Sequence, residues 1–432
     1  MTTTPALLTD RYELTMVQAT LGSGAAGTRC VFEVFARSLP HQRRYGVVAG
    51  LARLLEQIAE FRFDAETLDW LAGAGVVDES TCEWLASYSF AGDVDGYAEG
   101  EVYFPFSPVL TVTGGFAECV VLETLVLSVL NHDSAIATAA ARMITAAAGR
   151  PCIEMGTRRT HEVAAVAAAR AAYIAGFATT SNLAAGRRWG VPTAGTAAHS
   201  FTLVHPDEKA AFAAQIEAFG PGTTLLVDTF DVDAAIRTAV EQAGPELGAI
   251  RLDSGDLGSL AHRARRLLDA LGATRTRIVV SGDLDEFGLA GLAAAPVDGY
   301  GIGTSVVTGS GAPTAGFVYK LVAIDDGDGW RPVEKRAPGK HSIGGRKTAV
   351  RTYDAAGVAE CECVTVGRPP EGGRALQRRW MTGGGLAVDT GELATERARE
   401  RCRAAIAELP DDATKLSPGE PVLDIRLEGH LL

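Results

Sequence analysis

Between residues 151 and 303 short apolar runs recur, each followed by a stretch with helical spacing. The runs fall near 151–155, 176–179, 191–195, 223–228, 248–252, 276–280 and 298–303. The periodicity between them predicts helices over 160–174, 207–218, 232–243, 257–271 and 284–293. Continuous apolar runs alternating with helices mark buried parallel strands in βα units. About seven such strands predict an irregular α/β barrel rather than a regular eightfold one.

The flanks read differently. Residues 1–25 predict an amphipathic helix that Thr9 and Asp10 can cap, with Tyr12, Met16 and Ala19 on one face. Residues 29–38 alternate as a strand, with Phe32, Val34 and Ala36 on one side. Helical segments near 50–90 and strands around 96–120 follow, and 117–149 is Ala-rich and strongly helix-forming. Past Tyr319 the chain turns Gly- and Asp-rich at 325–330. Short strands are predicted over 331–365, loop over 366–385, a helix over 394–407 and a strand over 421–427. The expected organisation is an α+β N-terminal domain (1–150), an α/β barrel carrying the active site (151–325) and a C-terminal extension (326–432). That extension is expected to return in part to the N-terminal domain, making it discontinuous.

Composition narrows the class. A hydrophobic fraction of 47% and a charged fraction of 22% are those of an ordinary globular protein. The formal net charge of −13 argues against general nucleic-acid binding and means that any anionic ligand needs a local basic pocket. Seven scattered cysteines do not make a disulfide framework. Cys361 and Cys363 share one face of a predicted strand, without a second pair to complete a zinc site. The N-terminus has no signal-peptide pattern, and the most apolar run, 120–130, is too short to span a bilayer. The expectation is a cytoplasmic protein with neither membrane nor nucleic-acid partner.

Chemistry concentrates at the ends of the predicted barrel strands. Gly301-Ile302-Gly303-Thr304-Ser305 follows a late strand, where glycines let backbone N–H groups converge on one anion and Thr304 adds a hydroxyl donor. Ser281-Gly282-Asp283, at the preceding strand end, can form the neighbouring wall. The third glycine of a dinucleotide fingerprint is missing. Alternation puts Arg251 and Asp253 on one face, either as an arginine fork for a carboxylate beside an acceptor for sugar hydroxyls or water-bound magnesium, or as an internal ion pair. Arg158 and Arg159 follow the first barrel strand, which suits a pyrophosphate or a solvated basic turn. His199 lies in Gly195-Thr196-Ala197-Ala198-His199-Ser200, where small neighbours leave room for a phosphoryl group; the alternative is a structural histidine. Tyr12 can stack on an aromatic ligand or pack a helix.

These segments occur together in one order: Thr9-Asp10-x-Tyr12-x-Leu14-Thr15-Met16, Phe32-Glu33-x-Phe35-x-Arg37, Gly156-x-Arg158-Arg159, Thr180-Ser181-Asn182, the His199 segment, Arg251–Asp256 and Gly301–Ser305. Jointly, from about Leu8 to Leu423, the chain resembles the nicotinate phosphoribosyltransferases. The resemblance implies the type II phosphoribosyltransferase fold and a homodimer with active sites at the subunit interface. It implies conversion of nicotinate and phosphoribosyl pyrophosphate to nicotinate mononucleotide and pyrophosphate, coupled to ATP hydrolysis with Mg2+, in NAD biosynthesis. By the same resemblance His199 is the residue that ATP phosphorylates, and Tyr12 (from the other subunit) and Thr196 contact nicotinate. Arg251 lies near the nicotinate carboxylate and Asp253 on the ribose side. Gly301, Gly303 and Thr304 hold the 5′-phosphate, and Arg158 and Arg159 hold phosphates. Ala337 departs from the family's usual serine, which leaves the role of the 335–347 loop open. Nicotinamide phosphoribosyltransferases are similar but carry an aspartate where Ser181 stands; an aspartate suits a neutral amide and repels a carboxylate, so Ser181 favours nicotinate. A non-catalytic phosphoribosyl pyrophosphate sensor on the same barrel is the alternative from another class.

Overall fold

The structure is a computed structural model and describes residues 4–335, 342–367 and 371–428. The chain forms two units, one joining 1–138 with 312–432, the other running from 139 to 311. Where composition shifts were read at 150 and 325, the division falls at 138 and 311. The first change lies inside the helix Glu123–Ala147, so no loop or Gly/Pro signal marks it.

The second unit is built on a six-stranded parallel sheet. Its order in space is Thr179–Thr180, Cys152–Glu154, Gly299–Ile302, Arg277–Gly282, Ala249–Leu252 and Thr224–Leu226. Helices Glu162–Ile174, Glu208–Phe219, Val232–Ala243, Leu257–Ala270 and Glu286–Gly291 follow the strands much as the periodicity predicts. The strand interiors Cys152, Leu225, Ile250, Val280 and Tyr300 are fully buried, as a parallel sheet covered by helices requires. This curled parallel sheet is the α/β fold expected. The run at 191–195 is not a strand, however. Pro192 supplies no N–H, and the segment contributes a single bridge, Thr180 to Thr193.

The first unit packs around a seven-stranded antiparallel sheet. Its central strands are Phe317–Asp325, Arg29–Ala36, Leu110–Gly115, Asp93–Tyr97 and Gln377–Thr382. The last of these lies in the stretch read as loop. Its Arg378-Arg379 pair and trailing glycines disguise a strand whose Trp380 and Met381 are buried, while Arg379 is held by Asp93 and Asp95. The predicted N-terminal helix is also shorter. It is a 3-10 turn, Pro5–Leu8, followed by the helix Arg11–Ser23, and Asp10 sits at its N-cap without a side-chain bond. Thr9 instead donates to the Glu13 carboxylate and to Val121 O at 3.2 Å.

Helical stretch Phe116–Ala147 is by length and composition able to cross a bilayer, more than the 120–130 run suggests, but most of its apolar window is buried inside the protein. Cys361 and Cys363 lie with Val350 in a small buried cluster, their sulfurs 3.5 Å apart. In the 335–347 loop, residues 336–341, including Ala337, lie outside the described residues. Two of its basic side chains serve the fold: Arg346 pairs with Asp95 at 2.8 Å, and the buried Lys347 pairs with Glu33 at 3.0 Å.

Two buried charged groups generate predictions. Arg351 is fully buried and donates to Glu101 at 2.6 Å, Glu362 at 2.8 Å and Val102 O at 2.9 Å. Arg351→Met leaves both carboxylates without that cation, so unfolding free energy should fall by about 3–5 kcal/mol. Urea denaturation measures it, and a loss below about 1 kcal/mol would contradict the assignment. Glu13, next to Tyr12, is buried, and this pushes its carboxyl from 4.5 to about 7 despite hydrogen bonds from Thr124 and Thr9. A carboxyl raised in the folded state contributes stability that is full below its unfolded value and is lost as pH rises through about 7. Glu13→Gln should therefore flatten the decline in urea midpoint between about pH 5 and 8. An unchanged slope in the variant would show that other groups cause it.

Candidate active site

Parallel strands deliver their carboxyl ends, and the polar residues just past them, to one edge of the sheet. Arg251, in strand Ala249–Leu252, is placed there with its side chain 11% exposed. Its Nε donates to Ser281 Oγ at 2.7 Å, and Nη1 to Thr196 Oγ1 at 2.9 Å and Ala197 O at 3.3 Å. Its Nη2 donates to Asp253 Oδ1 at 2.6 Å. Of the two readings of Arg251 and Asp253, the internal ion pair is therefore made, and both residues also line a cleft of about 220 Å³. Burial works to raise the Asp253 carboxyl, but hydrogen bonds from Ser281 and Arg251 outweigh it and hold the group below the usual range. Asp253 Oδ2 has no protein partner among the described residues.

Facing this pair, the same cleft is lined by Arg158 and Arg159. They occupy the 3-10 turn Thr157–Arg159, just after strand Cys152–Glu154, and both are exposed. Among the described residues neither guanidinium has a hydrogen-bond or ion-pair partner. The floor comes from Ser281, Gly282, Gly301, Gly303 and Thr304, with Met155 and Asp283 beside them. Gly301 is fixed by packing: a Cβ there would stand 2.8 Å from Met155 Sδ and 2.9 Å from Ser281 Cβ. A Cβ on Gly156 would collide with Val307 and stand 2.8 Å from Gly303 O, so the arginine turn rests directly on the glycine cradle. Three arginines against Asp253 and Asp283 give this cleft the basic character that the acidic chain otherwise lacks.

His199 begins the short helix His199–Val204 and is 41% exposed. Its Nδ1 lies 3.2 Å from Thr229 Oγ1 and its Nε2 3.9 Å from Asp228 Oδ1. It does not line the cleft itself. It is joined to it through Asp228, whose Oδ2 accepts from the Asp253 backbone N–H at 2.8 Å and from Ser254 Oγ at 2.9 Å. Asp228 Oδ1 is buried and has no hydrogen-bond partner. Glu208 stands near it; burial, then repulsion from Asp228 and Asp231, pushes its carboxyl up to about 7.

Most of the expected site residues thus converge. Nine line the cleft: Arg158, Arg159, Arg251, Asp253, Ser281, Gly282, Gly301, Gly303 and Thr304. Thr196 is tied to Arg251 and His199 to Asp228. Ser181 is exposed just past strand Thr179–Thr180 and is not among the cleft-lining residues. Tyr12 belongs to the other unit, on helix Arg11–Ser23, and is 46% exposed. Sequence reasoning missed Asp228 and Thr229, although they follow an apolar strand as Asp253 does. It also missed Glu154, a buried acid closing the first strand. A larger groove of about 660 Å³ in the first unit, lined by Leu7, Leu14, Trp70 and Val76 among others, has Arg11 as its one cation and gathers no comparable chemistry.

Comparison with known proteins agrees with this geometry. Residues 7–131 match the family described as nicotinate phosphoribosyltransferase (NAPRTase) N-terminal domain, and residues 136–310 that described as quinolinate phosphoribosyl transferase, C-terminal domain. Nicotinate phosphoribosyltransferase pncB1 of Mycobacterium tuberculosis is 59% identical, with 97% of this chain and 94% of that protein covered. Nicotinate phosphoribosyltransferase of Bacillus subtilis is 37% identical, over 74% of this chain and 67% of that one. The crystal structure of human nicotinic acid phosphoribosyltransferase superposes with a TM-score of 0.84 at 25% identity, over 97% of each chain. On this similarity, which spans both units, the chain belongs to the nicotinate phosphoribosyltransferase family.

Proposed function

We propose that this protein transfers the phosphoribosyl group of phosphoribosyl pyrophosphate to nicotinate, releasing pyrophosphate, in NAD biosynthesis, and couples the transfer to hydrolysis of ATP to ADP and phosphate. The observation that carries the reading is the pair of unpartnered guanidinium groups, Arg158 and Arg159, on a cleft floored by glycine-rich strand ends. Two free arginines suit a diphosphate, and the Gly301, Gly303 and Thr304 cradle suits the 5′-phosphate.

In this reading the nicotinate ring nitrogen attacks C1 of the ribose. The bond from C1 to the pyrophosphate oxygen breaks, and its electron pair leaves with pyrophosphate. The nucleophile needs no deprotonation, so the protein's work is to position two anions and neutralise the leaving one. Arg158 and Arg159 take the pyrophosphate charge. Arg251, with one Nη2 hydrogen still free and Thr196 beside it, meets the nicotinate carboxylate. On the family resemblance, Ser181 stands where amide-using relatives carry an aspartate, and so adds no negative charge against a carboxylate. Asp253 Oδ2 accepts from a ribose hydroxyl. Mg2+ fits the donor set: Asp253, which lines the cleft, keeps its Oδ2 without a protein partner among the described residues, and this ion is usually held by one or two carboxylates plus substrate phosphates. Asp253 would hold it through water, and the ion would supply charge neutralisation on the pyrophosphate. We assign the protein to the cytoplasm as a homodimer in which Tyr12 of one subunit stacks on the nicotinate of the other.

The test is formation of nicotinate mononucleotide and pyrophosphate from nicotinate and phosphoribosyl pyrophosphate, with and without ATP. Nicotinate should exceed nicotinamide in kcat/KM by about a hundredfold or more, because the remaining Nη2 hydrogen of Arg251 then meets a neutral amide in place of a carboxylate. Equal values would sink this reading and favour the amide-using alternative. Arg251→Ala should lower kcat/KM for nicotinate by at least about tenfold.

His199 carries the coupling to ATP. Its imidazole is 41% exposed among small residues, held at Nδ1 by Thr229 and near Asp228 at Nε2. Transfer of the γ-phosphoryl group to a ring nitrogen forms a P–N bond and releases ADP, and water later breaks that bond and yields phosphate. Incubation with γ-labelled ATP should leave acid-labile, base-stable label on the wild type and none on His199→Ala. The variant should retain slow, ATP-independent transfer. Full ATP stimulation in His199→Ala would return the residue to a structural role.

A further inference from the structure

The first strand of the parallel sheet ends in a carboxylate that no cation offsets among the described residues. Glu154 is 1% exposed, and among those residues its side-chain partners are dipoles. Oε1 accepts from the Gly156 backbone N–H, and Oε2 accepts from Thr180 Oγ1 at 2.5 Å. Thr180 Oγ1 in turn accepts from the Asn182 N–H at 3.0 Å, and Asn182 Nδ2 donates to Thr157 Oγ1 at 3.1 Å. Thr157 follows Gly156, so the bonds close a ring through Glu154, Gly156, Thr157, Asn182 and Thr180. Thr180 is fully buried and Asn182 is 5% exposed. Backbone bonds reinforce the ring: Ser181 N–H donates to Glu154 O and Met155 N–H to Ile302 O, both at 2.8 Å.

A buried carboxylate without a cation is a poor choice for stability alone, since burial pushes Glu154 up and its hydrogen bonds offset this only in part. What it holds explains its presence. Gly156 N–H is the first donor of the turn that carries Arg158 and Arg159, and it is fixed by a side chain from the strand. The other branch reaches the turn again at Thr157 and fixes the Thr180–Asn182 corner, whose exposed tip is Ser181. We propose that Glu154 is a positioning residue, which through Gly156, Thr180 and Asn182 holds the Arg158–Arg159 turn in the geometry that grips a diphosphate. The proposal rests on the diphosphate reading of the cleft, and adds the device that keeps two unpaired cations aimed at it. Arginines with no protein partners do not orient themselves, so their backbone must be held from behind.

The test uses the full-length protein and two separate readouts. The first is calorimetric binding of inorganic pyrophosphate with Mg2+. The second is the KM for phosphoribosyl pyrophosphate with nicotinate as acceptor. Glu154→Ala and Thr180→Val should each weaken pyrophosphate binding and raise that KM by about tenfold or more, with kcat within about threefold. Glu154→Gln, which keeps an acceptor for Gly156 N–H and a polar group toward Thr180, should restore both to within about threefold of wild type. Asn182→Ala, which breaks the ring at its outer side, should show an intermediate loss and keeps the test open should Glu154→Ala fail to fold. Variants that bind pyrophosphate as wild type does would overturn the proposal. So would losses that follow only the fraction of unfolded protein. A wild type that binds pyrophosphate but makes no nicotinate mononucleotide would refute the proposed function, and the pyrophosphate series would still decide the role of Glu154.

Discussion

The guanidinium of Arg251 bonds four groups from three separate chain segments: Ser281, Asp253, Thr196 and the Ala197 carbonyl. The rest of the cleft depends on this hub. A parallel sheet can bring strand ends side by side, but their loops carry polar groups that water would otherwise solvate and loosen. One planar, permanently charged fork with donors in fixed directions cross-links them. It also neutralises Asp253, so that a carboxylate can stand in a site built for anions.

Charge in the site is divided between two kinds of arginine. Arg251 is spent largely inside the protein, while Arg158 and Arg159 are left unpaired among the described residues. The first kind shapes the wall, and the second kind is available to ligand. This division reconciles the net charge of −13 with anionic substrates, because the local balance at the cleft is opposite in sign to the whole chain. Asp228 links the cleft to His199, with one oxygen on the Asp253 loop and the other, without a hydrogen-bond partner among the described residues, toward His199.

The parallel sheet was legible because its strands are apolar on both faces and alternate with stretches of helical spacing; in the structure Asp207, Asp231 and Asp256, each bonded to a backbone N–H, cap three of those helices. The site was legible where chemistry was compressed into short motifs: Arg251 to Asp253, Ser281 to Asp283, Gly301 to Thr304. It was not legible where the meaning of a residue lies in a distant partner. Glu154 is one acid in an apolar run until Thr180 and Gly156 close on it, and Asp228 is one polar residue after a strand until His199 and Asp253 flank it. The misread strand at 191–195 has a local cause in Pro192, and the missed strand Gln377–Thr382 has a tertiary one, since its Arg379 faces acids on a strand far away in sequence. Tyr12 shows the limit of motif reading. Its segment identifies the family, yet within one chain nothing about the helix bearing it reveals a catalytic task.

The glycines under the cleft have a further consequence. At 156 and 301 any side chain would strike Val307, Met155 or Ser281, so at these two points the structure under the cleft is backbone and stays backbone. Drift in the shape of the pocket is left to its side chains, such as Met155 and Asp283. An inhibitor that rests its weight on this backbone rather than on those side chains therefore leaves the protein few single-residue routes to resistance. Any change that lifts the inhibitor there also displaces the strand ends on which the enzyme's own substrate must lie.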